Sequence, residues 1–375
     1  MWAIAVKEFL QLRRDRRTVA MLLVLPFVFL IIFGYAANFD VKSVHTVVVG
    51  PFARQAAAVL PKVFDVVATR PADGRAQAVD SLRRGEAVVA VVTPSGLSGT
   101  PQLLVDGTEF FAARAAQVAA ASASSSSSVA GRLFGSVKPE ILFNPELRTS
   151  VIMIPGLLGL ILVFIGTIAT ALGVVRERQA GTMEQLAVMP FKPGDVFLGK
   201  IAPYLLLATV DMGVVVAAGL LVFNVPFRGS VLAFALGAIL FLFVTLGIGV
   251  LISTVSQTQG QAIQLAIMTL LPQILLSGFI FPLYSIAAGI RWIGYVLPLT
   301  YFVRIARGIM VRGAPFSSLW FSFLMLAVLG ALVFSLSVLR FRRDLAPAGP
   351  RRDGPASDAG AGAPPLPGAS AEADA

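Results

Sequence analysis

The sequence has few of the residue types on which enzymes and disulfide-linked proteins depend. Its 375 residues include no cysteine and a single histidine, His45. The lack of cysteine excludes disulfides, thiolate metal sites and cysteine nucleophiles, and one histidine excludes a paired-histidine metal site. Charged residues are also scarce, at 13% of the chain against about 25% in soluble domains. This deficit indicates that lipid surrounds much of the chain.

Positive charge dominates what charge there is. Lysine and arginine number 30 and aspartate and glutamate 20, so the net charge is +10. In a membrane protein such an excess collects in cytoplasmic loops. The composition therefore does not require a nucleic-acid partner.

Long uncharged stretches recur along the chain. A helix needs about 20 apolar residues to cross the hydrocarbon core. The stretches that reach this length, TM1 to TM6 in order, are Thr18–Ala37, Val151–Val175, Ile201–Phe227, Ser230–Ile252, Ala262–Phe281 and Ala314–Leu339. A polar patch at 253–261 divides the fourth from the fifth. TM1 is longer than the roughly 7–15-residue core of a signal peptide and is predicted to be an uncleaved anchor. The predicted fold is an α-helical polytopic membrane protein with six transmembrane helices.

The orientation follows from the basic residues near the ends of the spans. Three sets fall on one side: Lys7, Arg13, Arg14, Arg16 and Arg17; Arg176, Arg178, Lys192 and Lys200; and Arg340, Arg342 and Arg343. The positive-inside rule then places both termini in the cytoplasm. The opposite side holds Arg228, Arg291, Arg304, Arg307 and Arg312, which the rule does not account for.

The spans divide the chain into parts. Residues 1–17 are predicted to form a basic amphipathic helix, and 38–149 an external, periplasmic α/β domain between TM1 (18–37) and TM2. The bundle of TM2 to TM6 occupies 150–343, with a cytoplasmic loop at 176–200 and an external segment at 282–313; the tail, 344–375, is predicted to be disordered. In the α/β domain, strand signals cover Val44–Val49, Ala87–Thr93 and Gln102–Val105, and helix signals cover Ala76–Arg84 and Glu109–Ala121.

The loop at 176–200 contains a near-match to a phosphate-binding loop, Gly194 to Lys200. Such a loop needs Ser or Thr after the lysine and a buried strand before the first glycine. Here Ile201 follows the lysine, and Pro190 and Pro193 precede the glycine. We therefore do not expect ATP to bind to this chain, which has no visible energy source of its own.

The same loop contains a predicted short helix. Thr182 and Gln185 have capping-box spacing, so the helix starts at Met183 and Pro190 limits it. This helix is either a connector or an element that seats in a socket on another protein.

Two runs of sequence resemble those of ABC-2-type transporter permeases. The first contains Glu177, Gly181, Thr182, Met183, Glu184, Gln185, Leu186, Pro190, Gly199 and Lys200; the second contains Leu276 to Pro282, Pro298 to Tyr301, Arg307 and Gly308. The layout, with one span, a large external domain and five further spans, is similar to the multidrug-type bacterial subgroup. The resemblance covers about residues 1–343.

The resemblance implies a set of partners and roles. The loop residues Glu177, Gly181, Thr182, Met183, Glu184, Gln185 and Leu186 would contact a separate ATP-binding subunit, which would bind the ATP and magnesium; this chain would bind no cofactor. A second permease, identical or paralogous, would complete the transporter in the bacterial inner membrane, with lipid around it and a periplasmic adaptor as a further candidate partner. Segment 282–313 would form short re-entrant helices.

Polar residues inside the predicted spans are candidates for a translocation pathway. Asp211 lies near the middle of TM3, and an intramembrane carboxylate is a functional hypothesis by default. It would bind a cationic substrate or relay protons, or it would be protonated and bonded to a neighbouring helix. Gln261, Gln264 and Gln273 recur at helical spacing on TM5; they would line a pathway or join helices by hydrogen bonds.

The leading hypothesis is the permease subunit of an ATP-driven exporter of a hydrophobic or amphipathic substrate. The alternative is a proton-coupled secondary transporter that uses Asp211, against which stand a lone acid and the lack of detectable inverted repeats in the sequence. A membrane-anchored sensor would need only one or two spans, and we find no catalytic set that would make the chain an enzyme.

The predicted orientation can be tested by labelling, since the natural chain has no cysteine. A cysteine at Ser43 or Ser98 is expected to react with an impermeant thiol reagent added outside the cell, because residues 38–149 are predicted to be periplasmic. A cysteine at Ser357 is expected to be protected. The reverse pattern would show that the orientation is wrong.

Overall fold

The computed structural model describes residues 43–96, 100–124, 137, 139–180 and 193–344. The predicted amphipathic helix at 1–17, TM1 and the tail from 345 onward lie outside the described residues. The described residues between 43 and 148 form an α/β domain, and those between 149 and 344 form a helix bundle.

The α/β domain is built on a five-stranded sheet in the order β2-β1-β3-β4-β5. The strands are β1 (Val44–Val49), β2 (Phe64–Arg70), β3 (Val89–Val92), β4 (Gln102–Asp106) and β5 (Glu140–Leu142). Strand β1 pairs in parallel with β2 and β3, β3 pairs antiparallel with β4, and β4 pairs in parallel with β5.

Helices cover both faces of this sheet. They are α1 (Ala53–Val59), α2 (Arg75–Arg84) and α3 (Phe110–Ser124). Ala53 of α1 and Ala116 of α3 pack with Val44 and Val48 of β1 on one face, and Leu82 of α2 packs with Val47 on the other. Because β3 is buried on both faces, it reads as a continuous apolar run in the sequence, whereas β1 also contains His45 and Thr46.

The bundle contains α4 (Thr149–Gln179), α5 (Pro193–Leu221), α6 (Val231–Val255), α7 (Gln259–Leu276) and, after the segment described below, α10 (Phe316–Asp344). Among the described helices four are long and apolar enough to cross a membrane: Thr149–Gln179, Ile201–Leu221, Val231–Val255 and Phe316–Arg340. These correspond to the predicted TM2, TM3, TM4 and TM6. Helix α7, with four glutamines in 18 residues, is not among them, so the count of six spans stays a prediction.

Two predicted spans extend beyond their helices. TM3 was predicted to reach Phe227, but α5 ends at Leu221 and Asn224 has a positive φ of 51°. TM5 was predicted to reach Phe281, but α7 ends at Leu276 and Gly278 turns the chain with a φ of 84°. The polar patch at 253–261 does separate two helices, since α6 ends at Val255 and α7 begins at Gln259.

Short helices fill the segment between α7 and α10. A 3-10 turn at Leu283–Ser285 is followed by α8 (Ala288–Val296), α9 (Pro298–Arg307) and a π-helical turn at Gly308–Arg312. Helix α9 is buried along most of its length, and its Phe302 ring stacks on Phe241 of α6 with centroids 4.4 Å apart. Short helices thus precede the last span, and their re-entry into the membrane stays a prediction.

Glycines let the bundle helices approach closely. A Cβ on Gly249 of α6 would lie 2.7 Å from the Thr167 carbonyl oxygen of α4, and one on Gly159 of α4 would lie 2.6 Å from Leu299 of α9. Small residues at such crossings are how helices pack tightly in lipid. Helix α4 therefore contacts both α6 and α9 through glycine.

We expect Gly249→Ala to destabilise the bundle by about 1–3 kcal/mol, the usual cost of overpacking, because the neighbouring atoms belong to the backbone and cannot rotate away. The measurement is unfolding of the purified protein in detergent. Gly213→Ala in α5 is the matched control, since a Cβ there meets nothing within 4 Å. Equal stability of the two variants would contradict the packing described here.

Candidate functional site

A polar seam runs between α4 and α7 in an otherwise apolar part of the bundle. A narrow crevice lies there, too tight to admit a water molecule in this state, and it is lined by Val163, Phe164, Thr167, Ile168, Ala266, Thr269, Leu270 and Gln273. The two threonine hydroxyls are satisfied by carbonyls: Thr167 donates to Thr245 at 3.4 Å and Thr269 to Leu265 at 2.8 Å. The seam thus places hydrogen-bonding groups among apolar walls.

Gln273 is the exception in this seam. Its side chain is fully buried, and neither Nε2 nor Oε1 has a hydrogen-bond partner among the described residues. Leaving a buried polar group unsatisfied costs about 1–3 kcal/mol. A neutral amide whose donor and acceptor are unsatisfied among the described residues can bind a group of either kind.

The glutamines of α7 do not share one face. The Gln261 side chain accepts a hydrogen bond from the Gln257 backbone N–H at 3.0 Å and so closes the start of the helix. Gln264 has a buried, unpartnered Oε1 but does not line the crevice. It lies nine residues before Gln273, which is about half a turn away on a helix of 3.6 residues per turn. The predicted set of three therefore separates into one capping residue and two candidates on different faces.

Asp211 lies on α5, away from the crevice. Its side chain is partly exposed, and large apolar neighbours on the same helix, including Leu207, Val210 and Val214, are exposed. Helix α5 packs against α4, α6 and α10. The structure thus does not bring Asp211 together with Gln273, which leaves both interpretations of the aspartate open.

The end of α4 that leads to the loop at 176–200 is held by hydrogen bonds. Arg178 donates to the Ser253 and Ser256 carbonyls at 3.0 and 3.1 Å, and Gln259 donates to Gln179 at 2.9 Å. Glu177 lies in the same turn and is half-buried. The predicted coupling residues Gly181, Thr182, Met183, Glu184, Gln185 and Leu186 lie outside the described residues. Sequence reasoning did not anticipate the role of Arg178, although the Ser- and Gln-rich patch opposite it was visible.

The near-match to a phosphate-binding loop is helical. Residues 193–201 all belong to α5, whereas a phosphate-binding loop is an open turn that follows a strand. This part of the chain therefore has the wrong local structure to surround a phosphate with backbone N–H groups.

Two of the arginines that the positive-inside rule could not explain donate hydrogen bonds to main-chain carbonyls. Arg307 donates to the carbonyls of Ile152, Gly278 and Phe279 at 3.3, 3.4 and 2.7 Å. Arg291 donates to the Tyr284 and Ile286 carbonyls. Gly278 and Phe279 lie just after the end of α7, and Tyr284 and Ile286 lie at a 3-10 turn, so main-chain carbonyls in irregular segments gain donors in this way and these arginines are structural.

Arg312 and Arg307 also join the bundle to the α/β domain. Arg312 lies 3.3 Å from the fully buried carboxylate of Asp106, and Arg307 lies 3.9 Å from Glu109. Burial raises the pKa of Glu109 above its usual range, while the Arg307 guanidinium acts in the opposite direction. Burial, together with the charges of Glu109 and Asp106, also raises the pKa of Tyr284.

Several apolar helices, a polar seam among them and an α/β domain docked on one end define a multi-pass membrane protein of the transporter class. The chain belongs to the ABC-2 family of transporter proteins, whose family model matches residues 16–339. The prediction of this family from two short runs of sequence is therefore confirmed.

Three similar proteins come from Escherichia coli (strain K12). The probable multidrug ABC transporter permease YbhS is 29% identical over 367 residues, which cover 92% of this chain and 97% of YbhS. The probable multidrug ABC transporter permease YbhR is 32% identical over 201 residues, or 54% of this chain and 55% of YbhR. The inner membrane transport permease YhhJ is 34% identical over 215 residues, or 56% of each chain.

We expect Gln273→Leu to stabilise the purified protein by about 1–3 kcal/mol, the cost of an unsatisfied buried group, because leucine removes both free polar atoms at similar size. Unfolding in detergent measures this change. Gln261→Leu is the matched control on the same helix and should destabilise, since the Gln261 side chain has a partner. A loss of stability in Gln273→Leu would show that the Gln273 amide is hydrogen-bonded after all.

Proposed function

We propose that this chain is the membrane-spanning subunit of an ATP-driven exporter, which moves a hydrophobic or amphipathic substrate out of the cytoplasm or the inner leaflet. The observation that carries the proposal is the family match over residues 16–339, together with alignment to nearly the full length of a probable multidrug permease. In this proposal the chain does not hydrolyse ATP, and a separate subunit binds the ATP and magnesium.

The α4–α7 seam supports the choice of substrate class. Its walls are mostly apolar, and Gln273 supplies one amide whose polar atoms have no partner within the part of the chain that the structure describes. Sites for small molecules typically combine apolar walls with a few polar groups that fix orientation. In the proposed transporter a second permease, identical or paralogous, would face this chain across the membrane, and Gln273 would contact the substrate or that subunit.

The tethered end of α4 supports transmission from the ATP-binding subunit. A movement of the loop at 176–200, caused by the ATP-binding subunit, must reach the bundle through a rigid element. Arg178 fixes the end of α4 to the corner between α6 and α7, so a displacement of the loop would move α4, α6 and α7 together. In the proposed orientation this corner is cytoplasmic, both termini are cytoplasmic, and the α/β domain is periplasmic, where an adaptor protein would reach it.

A proton-coupled carrier gains no support from the bundle. Asp211 is partly exposed on a helix with uncovered apolar residues and is not among the residues that line the seam. A relay needs a chain of ionisable groups. For this chain we therefore favour coupling through the loop.

We expect Glu177→Ala and Leu186→Asp to abolish ATP-driven transport and to weaken binding of the ATP-binding subunit. Glu177→Ala removes a negative charge that would pair with a basic residue of that subunit, and Leu186→Asp replaces an apolar side chain that would fill a socket there. Membrane insertion should be unchanged, since neither residue lies in a predicted span. The measurement is efflux from vesicles that contain both subunits, with co-purification as the second readout.

The control for these variants is removal of residues 351–375, which should leave transport and co-purification nearly unchanged. Normal transport by the loop variants would mean that the predicted helix is only a connector. Failure of the unmodified pair to transport any amphipathic compound on addition of ATP would contradict the proposed function itself.

A further inference from the structure

The α/β domain contacts the bundle through Phe143, whose carbonyl accepts a hydrogen bond from Arg228, and through a larger contact, here called the junction, between His45 and the stretch 106–111 on the domain and the segment 281–312 on the bundle. Part of this junction is apolar. The rings of Phe111 and Phe281 stack with centroids 6.5 Å apart, and those of His45 and Tyr284 lie 5.7 Å apart. These contacts hold the 3-10 turn of the bundle against the domain.

The rest of the junction is ionic and buried. Asp106 is fully buried, and its carboxylate lies 3.3 Å from Arg312, whose side chain is 11% exposed. Arg312 also packs against Gly85, the left-handed residue that ends α2. A helix carboxyl end favours a cation, so Arg312 lies between two sources of negative potential, both on the α/β domain.

Several polar atoms in this junction have no hydrogen-bond partner among the described residues. They are the Thr108 hydroxyl, the Tyr284 hydroxyl and Nε of Arg312, all buried. The ion pair of Glu109 is a long one. Arg307 lies 3.9 Å from this carboxylate, whose side chain is 26% exposed, and donates its own hydrogen bonds to three main-chain carbonyls.

These features weaken the docked arrangement relative to a separated one. A buried ion pair contributes little net stability, because desolvation opposes the attraction. Each unsatisfied polar group adds a cost that contact with water would remove. Docking thus leaves the Thr108 and Tyr284 hydroxyls without the water contacts that they would have if the two surfaces parted, and this lowers the free-energy cost of separation.

We propose that this junction is a latch with two positions, the docked one described here and a released one in which the Thr108 and Tyr284 hydroxyls contact water, and that the transport cycle requires its release. The first half concerns the junction alone. The second half rests on the proposed export function.

The position of the latch gives release a route to the seam. Arg307 connects the segment at the latch to the Ile152 carbonyl in the first turn of α4. Helix α9 packs on α4 where Gly159 meets Leu299 and Phe302. The same α4 lines the seam three turns further on, through Val163 and Thr167. Release of segment 283–312 would therefore free the beginning of the helix that forms one wall of the candidate pathway.

Release is measured by the reactivity of a buried cysteine in the otherwise cysteine-free chain. Thr108 is 1% exposed and Thr46, in β1 of the same domain, is 0% exposed. We expect Thr108→Cys to react with a small thiol reagent, because the latch opens, and Thr46→Cys to remain unreactive under the same conditions. Equal, slow reaction at both positions would overturn the proposal, and this readout does not depend on transport.

Two further variants shift the latch in opposite directions. Tyr284→Phe removes an unsatisfied hydroxyl and so favours docking; we expect roughly tenfold slower labelling at Thr108→Cys, slower transport and unchanged or higher stability. Arg312→Gln leaves Asp106 buried without its cation, favours release and should speed labelling. Tyr301→Phe is the control, because the Tyr301 hydroxyl donates to the Tyr295 carbonyl and its loss should lower stability.

A transport assay distinguishes a latch that must open from a junction that stays docked throughout the cycle. If the junction stays docked, loss of the Tyr284 hydroxyl has no effect on transport, so normal transport by Tyr284→Phe would overturn the requirement for release. If the unmodified protein shows no ATP-driven transport, the proposed function fails, while the labelling of Thr108→Cys still decides whether the junction opens.

Discussion

The bundle depends on one constraint: a main-chain carbonyl that a helix leaves free inside an apolar environment must find a donor within the protein. Arg307 meets this need for Gly278 and Phe279, the residues at which α7 gives way to a turn. Without its guanidinium, the turn at Gly278 would leave these carbonyls unsatisfied, and the chain could not leave α7 to form the short helices α8 and α9. The packing of α9 against α4 and α6 follows from that turn.

The same rule operates at the opposite end of the bundle. Arg178 satisfies the Ser253 and Ser256 carbonyls where α6 ends. One arginine at each end of the bundle thus allows a helix to stop. This shared role explains why the count of basic residues at 282–313 does not follow the positive-inside rule. Arg291 and Arg307 bind main-chain carbonyls, so their charge does not indicate the side of the membrane on which they lie.

The elements that carry a clear local pattern could be predicted from the sequence, and those without one were missed. Strands β1, β3 and β4 and helix α2 are recognisable because they are short apolar or amphipathic runs with turn residues beside them. Strand β2 was missed because it lies at the sheet edge and alternates in burial, and β5 because it has only three residues. Hydropathy continued past Leu221 and Leu276 because a turn made of apolar residues has no charge to mark it.

The candidate site shows the same division. Gln273 was recognisable as a polar residue in an apolar run, whereas its separation from Gln264 required the geometry of α7. The ion pair of Asp106 with Arg312 joins residues 206 positions apart, and nothing in either local sequence indicates the other. Long-range pairs of this kind are set by how the domain docks, which no pattern within one element records.

Unsatisfied polar atoms are not spread evenly over the described part of the chain. Of the eight buried side-chain atoms without a partner there, three belong to Gln264 and Gln273 of α7 and three to the junction of Thr108, Tyr284 and Arg312. Natural structures keep such groups few because each is costly, so the three at the junction and the two of Gln273 at the seam argue for a role other than stability. Helix α4 connects these places: Arg307 binds its first turn, its middle faces Gln273, and Arg178 fixes its end. Under the proposed function, α4 is therefore the element that a signal from either end of the bundle must move.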